Sequence, residues 1–145
     1  MPAEPGARPA SNRWRRTAAP RRCTVAGPGC TLPDGFAVAG APAGLVETVP
    51  GLGARPAAAG PVRLAIDAAA VGEAGDEAYR LAVEAGGVRI SARTATGLRW
   101  GLATLAQLRR TCGAALPGLV IDDAPAFAQR GFMLDVARDR VPTMD

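Results

Sequence analysis

Three short stretches alternate apolar and polar residues with the two-residue period of a half-buried strand. Val62, Leu64 and Ile66 alternate with Arg63, Ala65 and Asp67. Tyr79, Leu81 and Val83 alternate with Arg80, Ala82 and Glu84, and Val88 and Ile90 alternate with Arg89, Ser91 and Arg93. Each reads as a strand with one apolar and one mixed face, which suits a sheet packed on one side and at least partly wet on the other. Ala85-Gly86-Gly87 joins the second and third as a hairpin. The period then lengthens. Thr94 opens a helix in which Leu98, Gly101, Leu102, Leu105 and Leu108 share one face. Arg109 and Arg110 suit the negative end of its dipole, and Gly113 stops it. Burial of Leu98, Leu102 and Leu105, at roughly 1.5–3 kcal/mol per side chain, supplies most of the expected stability.

Around this centre the signals are weaker. Residues 23–26 and 35–38 read as two edge strands separated by the Pro28-Gly29 and Pro33-Asp34 turns. Residues 43–49 suit a short helix. The glycines and prolines from Pro50 to Pro61 predict a loop, and residues 67–77 predict another. Residues 116–123 form a final short strand with an acidic end. The predicted class is α+β: an antiparallel sheet with a long helix on one face.

The C-terminal stretch changes the picture. Residues 131–137 are mostly apolar with one charge, Asp135, and favour a strand. Pro142 makes the next segment extended or turn-like, and Thr143 is placed to cap a helix beyond it. This is the outline of the first strand–loop–helix unit of a larger α/β domain. The expected organisation is a tail over 1–22, an α+β domain over 23–125 and the start of a (β/α)8 barrel over 126–145. The sequence is thus expected to be the leading portion of a longer protein.

Charge narrows the function classes. The net charge is +4, and every basic residue is arginine. Six of the 17 arginines lie in the first 22 residues beside a single acid, Glu4. The pI near 9.7 therefore belongs mostly to a Pro/Ala/Arg-rich tail, read as disordered, and the domain itself is near neutral. Arg13-Trp14-Arg15-Arg16 invites comparison with nucleic-acid contacts, but no recognition helix or aromatic-studded sheet accompanies it, and no nucleic-acid partner is expected. No apolar run is long enough to span a bilayer, so no membrane partner is expected. The charged leader is not followed by an apolar stretch, and a cytoplasmic location is the expectation. With no histidine and three scattered cysteines, no metal site or cofactor is expected. Incidental thiols are the simplest reading of Cys23, Cys30 and Cys112, with a Cys23–Cys30 disulfide as the alternative.

Two motifs resemble a known family. Ala95-x-Gly97-Leu98-x-Trp100-Gly101-Leu102-x-Thr104-Leu105-x-Gln107-Leu108 is similar to the helix of the N-terminal domain in glycoside hydrolase family 20, the β-N-acetylhexosaminidases. Ile121-x-Asp123-x-Pro125-x-Phe127-x-x-Arg130-Gly131-x-Met133-Leu134-Asp135-Val136-x-Arg138 resembles that family's passage into its catalytic barrel, in the family's order and spacing. The resemblance implies a parent enzyme that hydrolyses terminal β-linked N-acetylhexosamine with retention. In such enzymes the substrate's acetamido oxygen is the nucleophile, and an Asp-Glu pair on a later barrel strand assists it. It implies that Arg130 binds sugar hydroxyls, and that Asp135 lies on the pocket side and helps hold the strand exit. The partners implied are an amino-sugar glycoside and the rest of the barrel.

The family often continues Arg-His-aromatic where this chain has Arg138-Asp139-Arg140, as in a divergent bacterial branch. The one Asp-Glu dipeptide, Asp76-Glu77, reads as a solvated lead into a strand of the small domain. Residues 1–145 alone are therefore expected to hydrolyse nothing, and no catalytic residue is assigned. The alternative is a non-catalytic module that docks onto a partner protein, with Phe132-Met133-Leu134 as the apolar strand it would offer.

Overall fold

A computed structural model describes residues 21–72, 74–127 and 129–131. The expected strand over 131–137, with Asp135 and the motif up to Arg138, lies outside the described residues apart from Gly131. The chain order is β1 (Arg22–Val25), β2 (Cys30–Thr31), β3 (Ala37–Ala39), a 3-10 turn (Val46–Thr48), β4 (Arg55–Ala57), β5 (Val62–Ile66), α1 (Ala68–Val71), β6 (Tyr79–Glu84), β7 (Gly87–Ala92), α2 (Ala95–Cys112), β8 (Ala115–Leu116) and β9 (Leu119–Asp123).

Seven strands form one sheet in the order β1-β9-β6-β7-β5-β3-β4, while β2 and β8 pair separately. The β6–β7 hairpin is antiparallel from Tyr79↔Ala92 to Glu84↔Gly87. Strand β9 lies antiparallel against β6, with β1 antiparallel on its far side. The other half departs from the expected antiparallel sheet. β5 runs parallel to β7, β3 parallel to β5, and β4 parallel to β3. Parallel neighbours need a connection that crosses back over the sheet. Here α1 and β6 lie between β5 and β7 in the chain, and the 3-10 turn lies between β3 and β4.

Two further differences have local causes. β4 sits inside the segment expected to be loop, where Pro56 hides it. At the sheet edge that proline needs no ladder hydrogen bond on its open side, so it is tolerated. β3, expected at an edge, is interior because β4 covers it. Within the expected loop after β5, Asp67 nucleates α1 by accepting bonds from the Ala69 and Ala70 amides at 3.0 and 3.3 Å.

The strands' inner face, with Val62, Leu81, Val83, Val88, Ile90 and Ile121, packs against α2. From the helix come Leu98, Leu102, Leu105 and Leu108, all buried. Two glycines let the helix lie this close. A Cβ at Gly101 would fall 2.4 Å from Ile90 Cγ2, and one at Gly97 would fall 2.6 Å from the Ala78 carbonyl oxygen. Thr94 caps the helix by accepting from the Gly97 amide at 3.2 Å, and its hydroxyl donates to Asp76 O at 2.5 Å. Gly113, at φ 75°, closes the other end with its amide on Arg109 O. Arg109 does more than face the helix dipole. It donates to Leu32 O and Asp34 Oδ1 at 3.1 and 3.0 Å, and lies 5.1 Å from the centre of the Phe36 ring.

Candidate functional site

The segment leaving β9 returns to the junction of β6 and α2, and this places Arg130 there. Its guanidinium meets two groups of the domain, Glu77 and Trp100, and one carbonyl of its own segment. Nη2 donates to Glu77 Oε2 at 2.5 Å, and Nη1 donates to the Phe127 carbonyl at 2.6 Å. The cation stands 6.0 Å from the Trp100 ring centre, within cation–π reach. Arg99 meets the same indole at 5.1 Å. Trp100 is on α2 and Glu77 precedes β6, so the site is built by the packing of helix on sheet. Trp100 Nε1 is buried with no hydrogen-bond partner among the described residues, and Phe127, whose carbonyl Arg130 meets, is 73% exposed.

Asp123 ends β9, and its carboxylate turns towards Tyr79. Its Oδ1 accepts from the Arg21 and Ala124 amides at 3.1 and 2.9 Å. Its Oδ2 accepts from Tyr79 Oη at 3.3 Å. Burial pushes the Tyr79 phenol well above its ordinary value. The Thr104 hydroxyl bond opposes the shift, and the charge of Asp123 adds to it. Burial likewise raises the thiols of Cys30 and Cys112. Cys30 is a free thiol, so the Cys23–Cys30 disulfide does not form.

Glycoside hydrolysis by two carboxyl groups needs them flanking one bond, about 5 Å apart or more. The acidic pairs here are arranged otherwise. Asp122 and Asp123 are consecutive in a strand and face opposite sides of the sheet. Asp122 pairs outward with Arg80 at 3.2 Å, while Asp123 holds Tyr79 inside. Glu77 is committed to Arg130. At this site the described residues therefore supply a scaffold and an arginine, Arg130, anchored on it. Among them no cluster of three or more His, Cys, Asp or Glu side chains is arranged to hold a metal ion. No described helix is long and apolar enough to cross a membrane.

Sequence reasoning singled out Arg130 but gave Glu77 no role beyond a solvated lead into β6. The two are 53 residues apart, and no local pattern connects them.

Known proteins place this architecture. The family model described as glycosyl hydrolase family 20, domain 2, matches residues 33–124. A β-N-acetylhexosaminidase of Cellulomonas fimi is 46% identical over 68 residues, covering 45% of this chain and 14% of its own length. A β-hexosaminidase of Akkermansia muciniphila is 39% identical over 72 residues, covering 48% of this chain and 15% of its own. Among solved structures, the Streptomyces plicatus N-acetyl-β-hexosaminidase in complex with Thio-NAglucal superposes with a TM-score of 0.63 at 28% identity. That superposition covers 92% of this chain and 30% of the Streptomyces chain. The Bacteroides fragilis β-N-acetylhexosaminidase shares the fold, with a TM-score of 0.65 at 20% identity. The chain thus spans under a third of each of these relatives, and it belongs to glycosyl hydrolase family 20, whose domain 2 it carries over residues 33–124.

Proposed function

We propose that the chain contributes domain 2 of a β-N-acetylhexosaminidase. The reaction is hydrolysis of a terminal β-linked N-acetylhexosamine with retention, assisted by the substrate's own acetamido group. In this reading Arg130 donates to sugar hydroxyls, which its rigid fork of N–H groups suits, and Asp135 stands on the pocket side of the same strand. The amino-sugar glycoside and the catalytic barrel are the partners. The observation that carries the reading is the family match over residues 33–124, on a fold shared with solved hexosaminidases. The carboxylates at the candidate site are occupied elsewhere, so the acid–base chemistry comes from the barrel.

The test has two arms. The 145-residue chain is assayed on a chromogenic N-acetylglucosaminide, with no turnover expected. The domain is then grafted in place of the corresponding part of the Cellulomonas fimi relative, where turnover is expected. Turnover by the chain alone overturns the assignment of chemistry to the barrel. A folded chimera without activity overturns the assignment of the domain.

A further inference from the structure

We infer that Glu77 is a positioning residue for Arg130. Together with the face of Trp100, it fixes the guanidinium, and with it the segment leaving the domain, in one orientation. The inference rests on the reading of Arg130 as a sugar contact only for its catalytic consequence. The seat itself is read from geometry.

Three contacts converge on one guanidinium. Glu77 Oε2 takes Nη2, the Phe127 carbonyl takes Nη1, and the Trp100 ring stands against the cation. A guanidinium carries five N–H donors. Among the described residues two are used, so the seat aligns the plane through Nη1 and Nη2. A fork held in this way presents its remaining N–H groups in a fixed direction, which recognition of adjacent hydroxyls requires. Charge also favours a carboxylate at this place. Arg99 and Arg130 both lie against the one indole, and Glu77 pairs with Arg130.

The ion pair is partly exposed, with side chains 41% and 31% accessible, so it adds little to folding stability. Its effect is orientation. Glu77 precedes β6, a central strand anchored on both sides by β7 and β9, and is therefore held by a rigid element. Arg130 lies seven residues past the end of β9 and takes its fixed direction from this contact.

The test uses the full chain with Trp14→Phe, so that Trp100 is the one indole observed. Glu77→Gln, Arg130→Met, the double variant and the charge swap Glu77→Arg with Arg130→Glu are compared. Each single variant is expected to raise acrylamide quenching of Trp100, because the guanidinium is no longer held against the ring. The double variant is expected to match either single one. In 15N spectra, the Arg130 guanidinium resonances, assigned by their loss in Arg130→Met, are expected to be slowed in rotation and to collapse in Glu77→Gln. The swap is expected to restore quenching towards that of the parent. Thermal midpoints should stay together throughout. Arg130 resonances unchanged by Glu77→Gln, or single effects that simply add, overturn the inference. The sugar role is read separately in the Cellulomonas chimera. If Arg130→Met leaves its KM and kcat unchanged while Glu77→Gln still frees the guanidinium, the sugar reading fails and the positioning one stands. If Arg130→Met raises KM while Glu77→Gln frees nothing, the reverse holds.

Discussion

Tyr79 Oη lies 2.6 Å from Thr104 Oγ1, so a hydroxyl pair ties β6 to α2 at the heart of the sheet–helix contact. Because the phenol donates to Asp123 Oδ2, the threonine hydroxyl is the donor to Tyr79. Tyr79→Phe removes both bonds and leaves Thr104 without this acceptor. A loss of about 1 kcal/mol in unfolding free energy is expected, measured by urea titration near neutral pH.

The same side chain makes an alkaline prediction. Its folded pKa is raised above the unfolded value, chiefly by burial. The folded state therefore holds the phenolic proton where the unfolded chain has released it. The stabilisation is complete below about pH 10, the ordinary tyrosine value, and falls as pH rises beyond it. Burial also raises Cys30 and Cys112, which weakens the fold in the same direction on the alkaline side. The contribution of Tyr79 is thus the difference between the parent and Tyr79→Phe. The variant is expected to show a shallower loss of thermal midpoint above pH 10.

Alanine at the two helix glycines is expected to destabilise, although alanine gains roughly 1 kcal/mol of helix propensity. At Gly101 the new methyl meets Ile90 Cγ2, the end of a side chain that is itself buried. At Gly97 it meets the Ala78 carbonyl oxygen, which belongs to backbone and yields less. Gly101→Ala is expected to cost about 1–3 kcal/mol, and Gly97→Ala more than Gly101→Ala. Chemical denaturation of the pair tests the ranking.

Leu102 is fully buried between α2 and the sheet. Leu102→Ala is expected to cost about 2–5 kcal/mol, and Leu102→Asp to leave the chain unfolded by circular dichroism at 25 °C.

Thr94 caps α2 and bonds to the Asp76 carbonyl. Thr94→Ala is expected to cost about 1 kcal/mol. Thr94→Ser keeps the oxygen and is expected to recover most of it, read as a thermal midpoint.

The elements that sequence made visible are those whose residues signal locally. The β6–β7 hairpin carries clean alternation with its Gly-Gly turn, and α2 carries a leucine face bounded by Thr94 and Gly113. The parallel half was not legible. Which strand neighbours which is decided by crossovers, and β4 hides behind Pro56. At the candidate site, Arg130 was visible because it sits in a dense motif. Glu77 was not, because its role depends on a fold that brings residues 53 apart into one ion pair.

Among the described residues the sheet's first strand has no neighbour until its last strand exists: Arg22–Val25 pairs with Leu119–Asp123 and with no other described strand. As the polypeptide leaves the ribosome, that leading ribbon waits while almost a hundred further residues are made. Everything from β3 to α2 can gather around the central hairpin meanwhile. Closure of this edge is therefore the late event in maturation of the domain, and it coincides with the emergence of the segment that bears Arg130.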